Sequence, residues 1–132
     1  PLKVVTDTAQ IRKDLEYYID KVPVKKTPAM SKSIYSILYA RLGNAPKALY
    51  YFYDSYLPNL NPPFRVIAEF NGGTNPYFIT GAGGTLQSII FGFAGLDITE
   101  KGLKPTRTPM LPQEWSSLTI TVAGKDIVQI TQ

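Results

Sequence analysis

Residues 38–49 read Leu38-Tyr39-Ala40-Arg41-Leu42-Gly43-Asn44-Ala45-Pro46-Lys47-Ala48-Leu49. A helix stop and a helix start stand back to back here. Gly43 suits the left-handed position that ends a helix. Asn44 can accept from the first free N–H groups of the next helix, with Pro46 inside its first turn. Two helices joined by so short a link must fold back on each other, which predicts an αα-hairpin. Upstream, Thr27-Pro28 reads as an N-cap followed by proline at the first helical position, and Met30, Ile34, Ile37, Leu38 and Leu42 continue on a helical spacing. Downstream, Leu49, Phe52, Tyr53 and Tyr56 line one face until Pro58.

The pattern extends outward in both directions. Asp7 with Gln10 fits a capping box. Ile11, Leu15, Tyr18, Ile19 and Val22 then predict a helix over residues 8–21, ended by Pro23. Residues 58–80 gather prolines, asparagines and glycines around one extended stretch, 64–70, and a loop of this length in a compact unit is either functional or a wrongly assigned element. Thr80-Gly81-Ala82-Gly83-Gly84 opens a fourth helix with Leu86, Ile89, Ile90 and Phe93 inward and Gly95 as its stop. Residues 117–122 alternate Leu118, Ile120 and Val122, Gly124-Lys125 can turn the chain, and residues 127–131 can return it as a β-hairpin. Trp115 at its entry reads as an anchor to the helices. The expected fold class is mainly α with a small C-terminal antiparallel β-hairpin.

Composition narrows the chemistry. The 132 residues are 44% hydrophobic and 18% charged, enough for one modest core. No apolar run approaches the roughly 18 residues of a membrane span, and no leader pattern opens the chain. It starts at Pro1 rather than Met, so we expect a piece of something longer, cut or processed. With no Cys there is no disulfide, thiolate nucleophile or Cys-based zinc site; with no His there is no Ser-His triad or imidazole ligand. Fourteen basic residues against ten acidic ones give a charge of +4, scattered apart from Lys25-Lys26, which points to no nucleic-acid partner.

Catalysis, if present, falls to carboxylates, Lys, Tyr or hydroxyls. Of the ten carboxylates, Asp7 caps a helix, Asp14, Glu16 and Asp20 sit on a polar helical face, and Glu100 and Asp126 read as turn residues. Glu69 differs: it lies in Val66-Ile67-Ala68-Glu69-Phe70 beside the Pro/Asn/Gly loop. Against apolar walls such a group suits acid–base work; on an edge strand it would simply face water, and spacing leaves both readings open. Thr80 to Gly84 is likewise either an anion cradle at a helix N-terminus or a run of glycines that lets helices pack closely. The aromatic run Tyr50, Tyr51, Phe52, Tyr53 and Tyr56 reads chiefly as core, with one or two rings free to reach a cleft.

The string Asn75-Pro76-Tyr77-Phe78-Ile79-Thr80-Gly81-Ala82-Gly83-Gly84-Thr85-Leu86-Gln87, running on to Gly92-Phe93-Ala94-Gly95-Leu96, resembles glycoside hydrolase family 65. That family holds maltose, trehalose and kojibiose phosphorylases together with acid trehalases and related α-glucoside hydrolases. The resemblance covers roughly residues 28–122, including Leu111-Pro112-Gln113-Glu114-Trp115 ahead of the final strands. It implies that residues 1–96 are the last helices of an (α/α)6 barrel catalytic domain and 97–132 a C-terminal β segment. The family's phosphorylases carry a His before the glycine pair that helps hold phosphate; Phe78 stands there in this chain. Its hydrolases carry a glutamate that serves as general base, and Glu69 falls where that pattern places it.

What the resemblance implies, then, is the C-terminal part of an inverting α-glucoside hydrolase acting on trehalose-, kojibiose- or maltose-type substrates. Such an enzyme sets an acid and a base about 6.5–9.5 Å apart around the bond and the attacking water. Glu69 would be the base; the acid matches no residue here and would come from the rest of the parent enzyme. Arg65, Asn71, Asn75, Thr80 and Gly81 are candidate sugar contacts. No cofactor or metal is expected. The alternatives are a disaccharide phosphorylase with an altered phosphate site, and a non-catalytic helical binding module. Exposed barrel-type helix faces predict self-association. The composition suits cytoplasm or periplasm alike; the resemblance tilts the parent toward periplasm or secretion.

Overall fold

Asp7 starts the first helix as the sequence suggests. In the computed structural model, which describes residues 5–23, 26–122 and 124–131, its carboxylate accepts from the Ala9 and Gln10 N–H groups at 2.8 and 3.3 Å. The reciprocal half of the capping box is missing, because the Gln10 amide donates forward to Asp14 at 2.7 Å. Helix α1 (Thr8–Lys21) buries Leu15. Lys25 of the lysine pair, and the side chain of Asp126, lie outside what is described.

Helices α2 (Ala29–Arg41) and α3 (Ala45–Asp54) form the expected hairpin. Gly43 takes φ +79°, and the Asn44 side chain accepts from the Lys47 N–H at 3.1 Å. The start of α2 departs from expectation. Thr27 is not its N-cap: the Thr27 hydroxyl donates back to the Pro23 carbonyl, and Pro28 precedes the helix rather than opening it. The free N–H of Ala29 instead donates 2.7 Å to the carbonyl of Glu69, forty residues on, so tertiary structure supplies the cap.

The buried face of α2 is made largely by its small residues. Met30 and Ile34 are each 42% exposed, whereas Ala29, Ser33, Ser36, Tyr39 and Ala40 are buried. The cause is close packing. Helix α2 lies against α3 on one side and α4 (Ile79–Gln87) on the other. A Cβ on Gly81 would come within 2.8 Å of the Ala29 Cβ, and one on Gly84 within 3.1 Å of the Ser33 side chain. Small residues permit that approach and hydroxyls then satisfy each other's backbone: Ser36 Oγ donates to the Ala48 carbonyl at 2.8 Å, and Ser88 Oγ to the Ser33 carbonyl at 3.1 Å. The buried Lys32 ammonium is met by Asp54 at 3.1 Å.

Helix α4 runs into one π-helical turn, Ser88–Phe93, and Gly95 at φ +66° ends it. Phe93 is fully buried, but Leu86 is 60% exposed rather than inward, since the extra residue of the π turn rotates the helix face. Between α3 and α4 the chain is irregular as expected, with a single-turn helix Leu57–Asn59 and the two-residue strands β1 (Leu60–Asn61) and β2 (Val66–Ile67), antiparallel.

Two hairpins follow the helices. Strands β3 (Leu96–Thr99) and β4 (Gly102–Pro105) form one that the alternation does not predict; β5 (Ser117–Val122) and β6 (Lys125–Thr131) form the expected one. Trp115 anchors them as read from the sequence, its ring 4.8 Å from Phe93 and 5.5 Å from Phe52. The main core gathers Leu15, Tyr39, Ala48, Leu49, Phe52 and Phe93; a second cluster gathers Ala94, Leu96 and Val128, and Leu118 packs on both. The chain is thus mostly helical with small antiparallel strand pairs. Among the described residues, no helix is long and apolar enough to cross a membrane.

Candidate functional site

The segment leading to α4 holds Arg65, Glu69, Asn71 and Asn75, with Thr80 and Gly81 in the first turn of α4 itself, and the segment's backbone is tied down by three asparagines. Asn59, fully buried, accepts from the Ala68 N–H through its carbonyl at 2.8 Å and donates its amide to the Glu69 carbonyl at 3.5 Å. Asn61 donates to the Gly73 carbonyl at 2.8 Å. Asn75 turns both ends of its amide toward Glu69: Oδ1 accepts from the Glu69 N–H at 3.4 Å, and Nδ2 donates to Glu69 Oε2 at 3.3 Å.

Glu69 is therefore half-buried, with its backbone fixed to the N-terminus of α2 and its carboxylate held by one amide. It lies between the two readings the spacing leaves open. Its neighbour Ala68 is fully buried, yet the carboxylate side reaches the surface. It lines none of the five main cavities formed by the described residues.

The other candidates are distributed unevenly. Asn75 joins Glu69; among the described residues, Arg65, Asn71 and Thr80 make no side-chain hydrogen bond to it. Arg65 is exposed at φ +54°, beside a cavity of about 290 Å³ lined by Leu57, Leu60, Pro62 and Pro63. Tyr77, at φ +60°, is likewise in the left-handed region that bulky residues rarely adopt, so the segment carries two strained positions within thirteen residues of sequence. Thr80 lines a groove of about 410 Å³ between α2 and α4, walled by Met30, Ile34, Ile37 and Phe91. Gly81 is buried against Ala29 and its N–H donates to the Phe78 carbonyl at 3.0 Å. For Gly81 and Gly84 the close-packing reading of the glycine run fits the geometry; Gly83 meets nothing.

One cluster escapes the sequence reading. Asp97, its side chain 4% exposed, takes the Arg41 guanidinium on Oδ1 at 3.0 Å, and Arg107 lies 2.9 Å from Oδ2, where Thr106 also donates. Arg41 also donates to the Phe91 carbonyl at 3.2 Å. Burial lowers the Arg41 pKa and Arg107 adds to that, while Asp97 opposes both by charge and hydrogen bond. The cluster ties α2 to the first β-hairpin. Its sequence signal was weak, because Asp97, Arg41 and Arg107 are separated by up to 66 positions.

No family model matches the chain. It is 56% identical over 126 residues to a kojibiose hydrolase of Mucilaginibacter mallensis, across 96% of this chain and 18% of that protein. It is 30% identical over 117 residues to an alpha,alpha-trehalose phosphorylase of Geobacillus stearothermophilus, across 88% of this chain and 14% of that one. Its fold matches, with a TM-score of 0.65 and 20% identity, part of a solved structure named as a candidate kojibiose phosphorylase from the human microbiome, covering 96% of this chain and 18% of that one. The chain thus spans about a fifth of the length of the relatives it matches. The helical hairpins and strand pairs are those of a segment from an (α/α)6 barrel protein, and the chain belongs to glycoside hydrolase family 65.

Proposed function

We propose that this chain supplies the general base and part of the sugar pocket of an inverting α-glucoside hydrolase. Glu69 takes a proton from the attacking water; the general acid, which protonates the leaving oxygen, comes from sequence outside these residues. The observation that carries the reading is Glu69 itself, a half-buried carboxylate whose backbone is pinned to α2 and whose Oε2 is held by Asn75. A base must keep one oxygen oriented and offer the other to water. The substrate class is an α-linked glucosyl disaccharide, supported by the kinship to a kojibiose hydrolase. The absence of any His, with Phe78 where phosphorylases carry one, favours water over phosphate as acceptor. Residues 1–96 then belong to the catalytic barrel and 97–132 to a C-terminal β segment. Arg65, Asn71 and Thr80 remain proposed sugar neighbours; Gly81, buried against Ala29 with its N–H on the Phe78 carbonyl, serves helix packing instead.

The test is turnover of kojibiose by the whole enzyme of which this sequence is part. Glu69→Gln should lower kcat by about a hundredfold or more, the scale of a lost general base, without loss of folding. The released sugar should appear first as the β anomer. Unchanged turnover, or a sugar 1-phosphate formed only when phosphate is added, would overturn the reading.

A further inference from the structure

We infer that Asn75 is a positioning residue that orients the carboxylate of Glu69, rather than a sugar contact; this rests on Glu69 being the base. The backbone from Ala68 to Gly73 is set by the core: Ala68 N–H meets the Asn59 carbonyl, the Glu69 carbonyl takes the Ala29 N–H, and Gly73 N–H closes a turn onto the Phe70 carbonyl at 2.9 Å. None of these bonds touches the Glu69 carboxylate. Asn75 does, and it is the side chain that grips both the N–H and Oε2 of the same residue.

That double grip also fixes which way the amide points. A backbone N–H needs an acceptor and a carboxylate needs a donor, so Oδ1 faces the first and Nδ2 the second. With Oε2 engaged, Oε1 is the oxygen that takes the proton from water. Gly73 makes room for the arrangement, since a Cβ there would stand 3.2 Å from Asn75 Oδ1 and 3.0 Å from the Phe70 carbonyl oxygen. Asn61 holds Gly73 in turn.

The experiment uses the whole enzyme with kojibiose. Asn75→Ala should lower kcat about tenfold or more while KM stays within about twofold, because a base displaced by an ångström loses rate and not substrate affinity. In a Glu69→Ala background, azide can replace the activated water: its nitrogen bonds to the anomeric carbon as the glycosidic C–O bond breaks, and the leaving oxygen takes its proton from the general acid. No base takes part, so adding Asn75→Ala should leave the azide rate unchanged. An Asn75→Ala enzyme with full kcat, or an azide rate that falls by the same factor, would overturn the inference and leave the assignment of Glu69 standing. Full turnover by Glu69→Gln would remove both.

Discussion

At the scale of single residues, Gly81 and Gly83, two of the three glycines in α4, are not equivalent. Gly81 faces the Ala29 Cβ at 2.8 Å and a Phe78 ring carbon at 2.9 Å; Gly83 faces open space. Gly81→Ala should therefore destabilise by about 1–3 kcal/mol, the scale of overpacking. Gly83→Ala should stabilise by about 0.5–1 kcal/mol through reduced backbone freedom in a helix. Denaturant midpoints of the two variants check the contrast, and equal shifts would contradict it. Asp97 is the residue whose loss should be felt most among the ion pairs. Asp97→Ala leaves two arginines facing each other, and since both are partly exposed the expected loss is about 2–3 kcal/mol, below that of a fully buried pair.

At the scale of elements, α2 explains why an apolar stripe is an incomplete guide. Its largest apolar side chains, Met30 and Ile34, face the groove against α4, while serines and alanines make the contact. Ile34→Gln should thus change the stability of this chain by less than about 0.5 kcal/mol, whereas Ser33→Leu, forced against Gly84, should lose about 1–3 kcal/mol. Thermal melts of the pair decide it. On the other flank of the hairpin, Tyr51 stacks on Tyr39 with ring centres 5.5 Å apart. Burial raises the Tyr51 pKa from 10.0 to about 12, with Tyr39, Tyr50, Tyr35 and Asp54 adding to the shift. A raised value in the folded state means that its contribution to stability is complete below about pH 10 and is lost as the pH rises through about 12. Burial raises Tyr35 and Tyr56 as well, so tyrosinate absorbance during an alkaline titration should show Tyr51 among the late-ionising phenols, released by unfolding.

At the scale of the whole molecule, the fold leaves apolar surface uncovered. Phe64, Tyr77 and Ile79 are largely exposed around the loop, Leu86 is exposed on α4, and Met30 and Ile34 line the α2–α4 groove. Uncovered helix faces of this kind drive association. The 132-residue chain by itself should sediment as an oligomer at micromolar concentration, and an ideal monomer under those conditions would count against the groove as a contact surface.

The sequence by itself determined the helical boundaries at Asp7, Gly43, Asn44 and Gly95, the β5–β6 hairpin and the anchoring Trp115, because caps, left-handed glycines and strict alternation act through neighbours a few residues apart. It also marked Glu69 and Asn75 as polar residues in a loop. Tertiary structure alone decided which face of α2 is buried, that Glu69 rather than Thr27 caps it, that Asn75 holds the Glu69 carboxylate, and that Asp97 gathers two arginines. Each of these depends on groups that the folded chain, not their spacing, brings together, and on α2 the close approach of small residues outweighs the hydrophobicity of the larger ones. Spacing along a chain carries no record of that approach.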